Sequence, residues 1–231
     1  MPTFLDQLPT GRLLLDVSLW SADLAALGAD VARVSAHADL LHVDASDTTF
    51  VAEALFFPDL VRAVRSHTDV PLHVHLMAHR PTRLAMQFAE AGADLITVHA
   101  EADEAGDAVD AIKSAGLPAG VALTLESAPA QYAELLSAAD AVVLIGTPLG
   151  TKGTLMDPAV PDRVRKTRRL LGMAGRNVPI IADGGIRANT VAALAEAGAT
   201  AVVPGSLLWT EGDLGRAARW IRNGCRAGDL S

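Results

Sequence analysis

The sequence predicts a single (β/α)8 TIM barrel, and three observations predict it. Short apolar, β-branched runs alternate with longer Ala-rich stretches along the whole 231-residue chain, which is the pattern of repeated βα units around a parallel sheet. Eight such units can be counted, a number and length that suit one closed barrel domain over residues 1–231. The runs are almost continuously apolar, as strands covered on both faces require.

Strands are expected at 13–18 (LLLDVS), 39–44 (DLLHVD), 71–76 (PLHVHL), 95–99 (LITVH), 119–123 (AGVAL), 141–145 (AVVLI), 178–182 (VPIIA) and 200–204 (TAVVP). Helices lie between them. In PTRLAMQFAEAG (81–92) the spacing puts Leu84, Phe88 and Ala91 on one face, with Pro81 in the first turn, where its missing N–H costs nothing. The segments AGAD (91–94) and AGAT (197–200) read as Gly C-caps leading into a strand. No linker or low-complexity tract divides the chain, and the polar loop 146–162 is the expected mobile element.

Half of the residues are apolar and a fifth charged, the balance of a soluble globular chain. The formal charge of −8 argues against a nucleic-acid partner. No apolar run reaches the length of a membrane span, and the N-terminus lacks a secretory pattern, so no membrane association and a cytoplasmic location are expected. The single cysteine, Cys225, fits a reducing compartment.

In a barrel of this kind, side chains at the C-terminal strand ends face the site. Three ends carry unusual polar residues: HVD (42–44), HVHLM (73–77) and ADGG (182–185). Strand alternation sends His42 and Asp44 to one side, and places His75 nearer the mouth than His73, one layer deeper. His42, Asp44, His75 and Asp183 form an N2O2 set suited to one divalent ion, Zn²⁺, Fe²⁺, Mn²⁺ or Co²⁺. Taken singly, Asp44 and Asp47 also read as caps, and Asp183 before two glycines as a turn residue. Concurrence on three strand ends is what favours a site.

Several segments resemble the ribulose-phosphate 3-epimerase family. DVSLWSADLAALGADV (16–31) is similar to the family's PSILSADFxxLGxxV, LHVDASDTTFV (41–51) to HVDVMDGxFV, and VHLMAHRPTRL (74–84) to VHLMVxxPxxx. AGADLITVHAEA (91–102) matches almost letter for letter, GVALT (120–124) is similar to GLALN, and 182–209 follows the family's VDGGI to AGS ending. The resemblance spans nearly the entire chain. It implies a barrel of the ribulose-phosphate binding type, one divalent ion per subunit held by His42, Asp44, His75 and Asp183, and proton exchange by Asp44 and Asp183 on opposite faces of a ketose phosphate. It also implies a homo-oligomer, a dimer or hexamer, and a substrate role for Ser18, whose other reading is a cap for a helix beginning near Ser21.

Gly184, Gly185, Gly205 and Ser206 follow the seventh and eighth strands, where barrels commonly bind phosphate, although glycines also serve turns. Met77, Gly146, Thr147 and Lys152 are further candidates for substrate contact. The sequence departs from the family in four places. LIGTPLGTKGTLMDP (144–158) replaces the loop resembling MTVxPGFGGQ, Ser46 stands for a methionine, Thr48 for a glycine and Thr124 for an asparagine. Ser46 is expected to add a hydrogen-bonding group near the sugar.

The expected reaction is C3 epimerisation of a ketose phosphate, D-ribulose 5-phosphate and D-xylulose 5-phosphate being the default pair and another tetrulose, pentulose or hexulose phosphate the alternative. Related barrel lyases use an Asp-x-Lys-x-x-Asp strand end, and the Asp44 to Asp47 segment has no lysine. A non-catalytic sugar-phosphate-binding homologue is the remaining alternative.

Overall fold

The computed structural model describes residues 3–225. Eight strands, β1 (Leu14–Ser18), β2 (Leu40–Ser46), β3 (Leu72–Met77), β4 (Leu95–His99), β5 (Ala119–Leu123), β6 (Ala141–Ile145), β7 (Ile180–Asp183) and β8 (Ala201–Val203), close in chain order into a parallel barrel. The expected strands at 95–99, 119–123 and 141–145 match in full, and the others shift by one or two residues. Between and after them run α1 (Leu27–Ser35), α2 (Pro58–Arg65), α3 (Pro81–Ala91), α4 (Ala105–Ser114), α5 (Ala133–Ala138), α6 (Val160–Met173), α7 (Ala188–Ala197), α8 (Ser206–Trp209) and α9 (Leu214–Arg222). No helix among the described residues is long and apolar enough to cross a membrane.

Alternation along each strand divides the apolar residues into two sets. Leu15, Val17, Val43, Val74, Leu76, Val98 and Leu144 face outward and pack under the helices. Leu14, Leu40, Leu95, Ala141, Val143 and Ile181 face inward as a separate cluster, against which Phe4, Leu5 and Leu8 of the N-terminal segment pack.

The Gly caps form as the sequence predicts. Gly92 and Gly198 both adopt φ of 101°, and the bonds Gly92 N–H to Ala89 O (3.1 Å) and Ala93 N–H to Phe88 O (3.1 Å) recur as Gly198 to Ala195 (3.0 Å) and Ala199 to Leu194 (3.0 Å). The residue just before each even-numbered strand has a second use. Asp39, Asp94, Asp140 and Thr200, each just before an even-numbered strand, accept the N–H of Leu15 (2.9 Å), Leu72 (2.8 Å), Ala119 (3.0 Å) and Ile180 (2.8 Å) near the start of the preceding odd one. Otherwise unpaired donors at the bottom rim are thereby satisfied.

Three local expectations need correction. The helix expected near Ser21 is only a 3-10 turn, Leu19–Ser21, and α1 begins at Leu27; Ser18 makes no side-chain cap bond. In α3 the fully buried face runs through Pro81, Ala85, Phe88 and Ala91, with Leu84 at its edge. The loop after β6 ends at residue 159, because α6 begins at Val160.

The turn after β2 contains one of the departures from the family pattern. Thr48 has φ of 62°, a left-handed conformation free to glycine and costly to a β-branched residue. Asp47 organises the turn: Oδ1 accepts the N–H groups of Thr49 and Phe50, both at 2.8 Å, and Oδ2 that of His79 at 2.9 Å. Burial opposes its charge, but these donors pull the carboxyl down to about 2. Thr48→Gly is therefore expected to raise stability by about 0.5–1 kcal/mol, relief of strain outweighing the added chain entropy, read as a higher urea midpoint. Because its folded pKa lies below the unfolded value of about 3.9, Asp47 contributes stability that is present above about pH 4 and lost as pH falls towards 2. Asp47→Asn should flatten the acid limb of a stability-against-pH curve in that interval.

Candidate active site

The polar residues of the strands point into the barrel, and they form two tiers. In the lower tier Asp16 of β1, fully buried, accepts through Oδ2 from His42 Nδ1 (3.0 Å) and His73 Nδ1 (2.5 Å), while His73 Nε2 meets Thr97 Oγ1 at 2.7 Å. Space for Thr97 exists only because β5 carries Gly120, where a Cβ would lie 2.0 Å from its hydroxyl. Burial raises the Asp16 carboxyl, but His73 and His42 overcome this and hold it at about 2, so the group is an anion. Burial also dominates at His73 and lowers its pKa. His73 thus sits one layer below the mouth, as its position in the strand predicts.

The upper tier brings together the four residues named by strand-end position. His42 Nε2 lies 3.3 Å from Asp44 Oδ1 and 3.5 Å from Asp183 Oδ2; His75 Nδ1 lies 3.2 Å and 3.5 Å from the same two oxygens. All four donor atoms fall within 4.8 Å of one another. Burial works against both carboxylates, yet His42 holds Asp44 below the usual range, and His42 and His75 hold Asp183 well below it. Conversely, burial is overcome at His42 by Asp16, Asp44 and Asp183, and at His75 by Asp183 and Asp44, so both imidazoles are raised.

This donor set fits a divalent ion. His42 Nε2 is buried and has no hydrogen-bond partner although it faces two carboxylates. Separations of 3.2–3.5 Å between imidazole nitrogen and carboxylate oxygen compare with about 3.0–3.4 Å between neighbouring donors around one ion with bonds of about 2.1 Å.

Behind His75 stands a third imidazole. His99 Nε2 meets His75 Nε2 at 2.8 Å and His99 Nδ1 meets Glu101 Oε2 at 3.2 Å, while Glu101 Oε1 accepts from Thr124 N–H (2.9 Å) and Oγ (3.1 Å). Burial drives the His99 pKa down to about 4, leaving it neutral. Glu101, despite its burial, is drawn down to about 2 by His99, Ser127 and Thr124.

A cavity of about 210 Å³ opens above these residues. Asp44, His75 and Asp183 form its base, with Ser18 and Met77 beside them; Gly184, Gly185, Gly205 and Ser206 make one wall, and Thr147 and Lys152 of the loop after β6 another. Two predicted residues stand back from it. His42 is fully buried beneath the carboxylates. Gly146 supports the site from behind, donating to Asp183 O at 2.6 Å, and a Cβ there would lie 2.6 Å from Gly184 O.

The departures from the family pattern fall mostly outside the cavity. The Ser46 hydroxyl donates to Glu53 O at 2.5 Å, so it closes the turn after β2 and supplies no group to the cavity, contrary to expectation. Thr124 braces Glu101. The loop after β6 does reach the mouth: Lys152 Nζ donates to the Trp20 carbonyl and lies 4.5 Å over the Trp20 ring. Arg187, which sequence position alone did not single out, lines the same cavity and donates to Ser206 Oγ at 3.3 Å. Its place three residues after ADG was its only sequence signal.

Residues 14–209 match the model of the Ribulose-phosphate 3 epimerase family. The ribulose-phosphate 3-epimerase of Bacillus subtilis is 36% identical over 209 residues, 89% of this chain and 96% of that protein. Those of Mycobacterium tuberculosis (33%; 96% of each chain) and Escherichia coli K12 (32%; 87% of this chain and 91% of that one) are similar. Among solved structures, 3-hexulose-6-phosphate synthase from Salmonella typhimurium covers 92% of this chain and 98% of its own at TM-score 0.66 and 22% identity. Orotidine 5'-phosphate decarboxylase from Pyrococcus horikoshii covers 93% and 100% at TM-score 0.64 and 17% identity. These two likenesses show the barrel fold alone. The match over 14–209 and the full-length relatives above 30% identity show more: the chain belongs to the ribulose-phosphate 3-epimerase family and is an isomerase, a carbohydrate epimerase.

Proposed function

We propose that this protein is a metal-dependent epimerase that inverts C3 of a ketose phosphate, with D-ribulose 5-phosphate and D-xylulose 5-phosphate as the substrate pair. The observation that carries this reading is the convergence of Asp44 and Asp183 with two imidazoles at the base of a cavity walled by Gly184, Gly205 and Ser206. The substrate pair is that of the relatives above, which are ribulose-phosphate 3-epimerases.

A divalent ion bound by His42, Asp44, His75 and Asp183 would act as a Lewis acid toward charge developing on the substrate's carbonyl oxygen. The two carboxylates do the proton work. Asp44 Oδ1 and Asp183 Oδ2 face the imidazoles, so Asp44 Oδ2 and Asp183 Oδ1 are the atoms assigned to the C3 proton. One removes it from one face and the other returns a proton to the opposite face, which inversion requires and a single base cannot do. Ser18 and Met77 border the sugar. The phosphate is assigned to the Gly184, Gly185, Gly205 and Ser206 wall, where Arg187 adds a charge-assisted donor.

Three outcomes are expected. Incubated in deuterium oxide with a panel of tetrulose, pentulose and hexulose phosphates, the protein should exchange the C3 hydrogen of the pentulose pair fastest, and lose the exchange on chelation until a divalent ion is restored. Exchange that survives thorough chelation, or none with any member of the panel, rejects the reading. Asp44→Asn and Asp183→Asn should each lower kcat/KM by about 10²–10⁴-fold, with near-native circular dichroism. Arg187→Met should raise KM about tenfold with kcat within about twofold, as loss of binding shared by ground and transition states predicts.

A further inference from the structure

We propose that Asp16 and His99 are positioning residues that dictate which nitrogen each imidazole ligand turns to the carboxylate pair: Asp16 holds the hydrogen of neutral His42 on Nδ1 so that Nε2 is the ligating atom, and His99, anchored by Glu101, holds that of neutral His75 on Nε2 so that Nδ1 is. This rests on the metal-site reading above. The two ligands come from adjacent strands and face the same two oxygens, yet they do so through opposite ring nitrogens. Either ring nitrogen can ligate, and which one does is set by the hydrogen bond that the other makes.

Proton bookkeeping identifies what decides. A carboxylate only accepts, so both groups that meet Asp16 Oδ2, His42 Nδ1 at 3.0 Å and His73 Nδ1 at 2.5 Å, carry hydrogen there. Ligation requires a neutral imidazole, and neutral His42 then has a bare Nε2, the buried atom with no hydrogen-bond partner. Neutral His73 likewise has a bare Nε2, and Thr97 Oγ1 at 2.7 Å donates to it. On the other side Glu101 is the fixed acceptor. Its Oε1 takes the Thr124 N–H and hydroxyl, and its Oε2 takes the hydrogen of His99 Nδ1 at 3.2 Å. His99 Nε2 is therefore an acceptor, His75 Nε2 at 2.8 Å must be the donor, and His75 Nδ1 is left bare toward Asp44 and Asp183.

The two chains are built alike. Each ends in an anion, Asp16 or Glu101, which orients an imidazole and increases its electron donation. They arrive from opposite neighbours: β1 holds the ligand on β2, and β4 holds the ligand on β3. The Asp16 chain is closed against solvent, since Asp16, His42, His73 and Thr97 all have zero exposure, and in the other chain His99 is equally buried while Glu101 reaches the surface in part. Rotation of either ring would cost a buried, charge-assisted hydrogen bond as well as a ligand.

The test is zinc affinity of the full chain by competition with a chromophoric chelator, together with side-chain NMR of the zinc-loaded, histidine-labelled protein. Asp16→Asn and His99→Phe should each weaken zinc binding by about 10–100-fold. His99→Gln, whose amide oxygen can accept from His75 Nε2–H, should restore most of the loss, which a merely structural role of the ring would not predict. The zinc-loaded wild type should show hydrogen on Nδ1 of His42, His73 and His99 and on Nε2 of His75. Urea titration of the metal-free variants identifies those that are folded. Folded Asp16→Asn and His99→Phe proteins that bind zinc as tightly as the wild type overturn the proposal, as does hydrogen on Nδ1 of His75. A wild type that binds no divalent ion overturns the functional reading itself, and the proposal with it, and so is distinguishable from failure of the positioning roles alone.

Discussion

Beside an inward-facing aliphatic cluster, the barrel interior of this protein holds a column of buried ionisable side chains, and the structure depends on the charges in that column having partners. Asp16, at zero exposure, is the extreme case. An isolated carboxylate there would cost several kcal/mol; with two N–H donors on one oxygen it becomes an acceptor that orients two rings at once. Gly120 belongs to the same constraint, because its missing side chain leaves the space in which Thr97 completes the His73 bonds. The hydrophobic half of the fold is spared this burden. Outward-facing valines and leucines pack under the helices independently of what the inner face carries, so the strands can hold polar residues at every second position without losing the outer core.

That division explains what could be read in advance. Barrel closure, the eight strands and the Gly caps at 92 and 198 were legible because they follow from local periodicity and from single residues with special backbone freedom. His42, Asp44, His75 and Asp183 were legible because strand ends in a barrel converge by construction, so a position along one strand suffices. Asp16, His99 and Gly120 were not, since their meaning lies in inter-strand register. Nothing in LLLDVS says that Asp16 will sit beneath two histidines contributed by two other strands. Arg187 escaped for a similar reason, its partner Ser206 being nineteen residues away across β8.

The misread Ser46 has a different cause. A hydroxyl two residues from Asp44 invites a role in the cavity, but residues at a strand end and in the turn beyond it obey the turn before they obey the site. Ser46 answers to the Glu53 carbonyl, and Asp47 to three backbone N–H groups. Thr124 is likewise committed, to Glu101. Buried or turn-forming polar groups are taken first by whatever backbone donor or acceptor would otherwise be left unpaired.

Chemistry and substrate choice are consequently supported by different parts of the chain. The carboxylates and imidazoles stand on strands, where register and the pairing of the buried column fix them. The residues most able to change the shape of the cavity stand on the loop after β6, whose Lys152 reaches the mouth only through Trp20. Leu149 and Met156 pack that loop onto the core, yet among the described residues no hydrogen bond joins 148–155 to Asp16, His99 or the four residues above them, so this stretch can be repacked without breaking the column. Alteration inside the column carries a far larger penalty, since removal of any one member leaves another buried polar group without a partner. Physical coupling of this kind predicts that divergence within such a barrel spares the column, and this chain, with its altered loop above an intact His42, Asp44, His75 and Asp183, has that form.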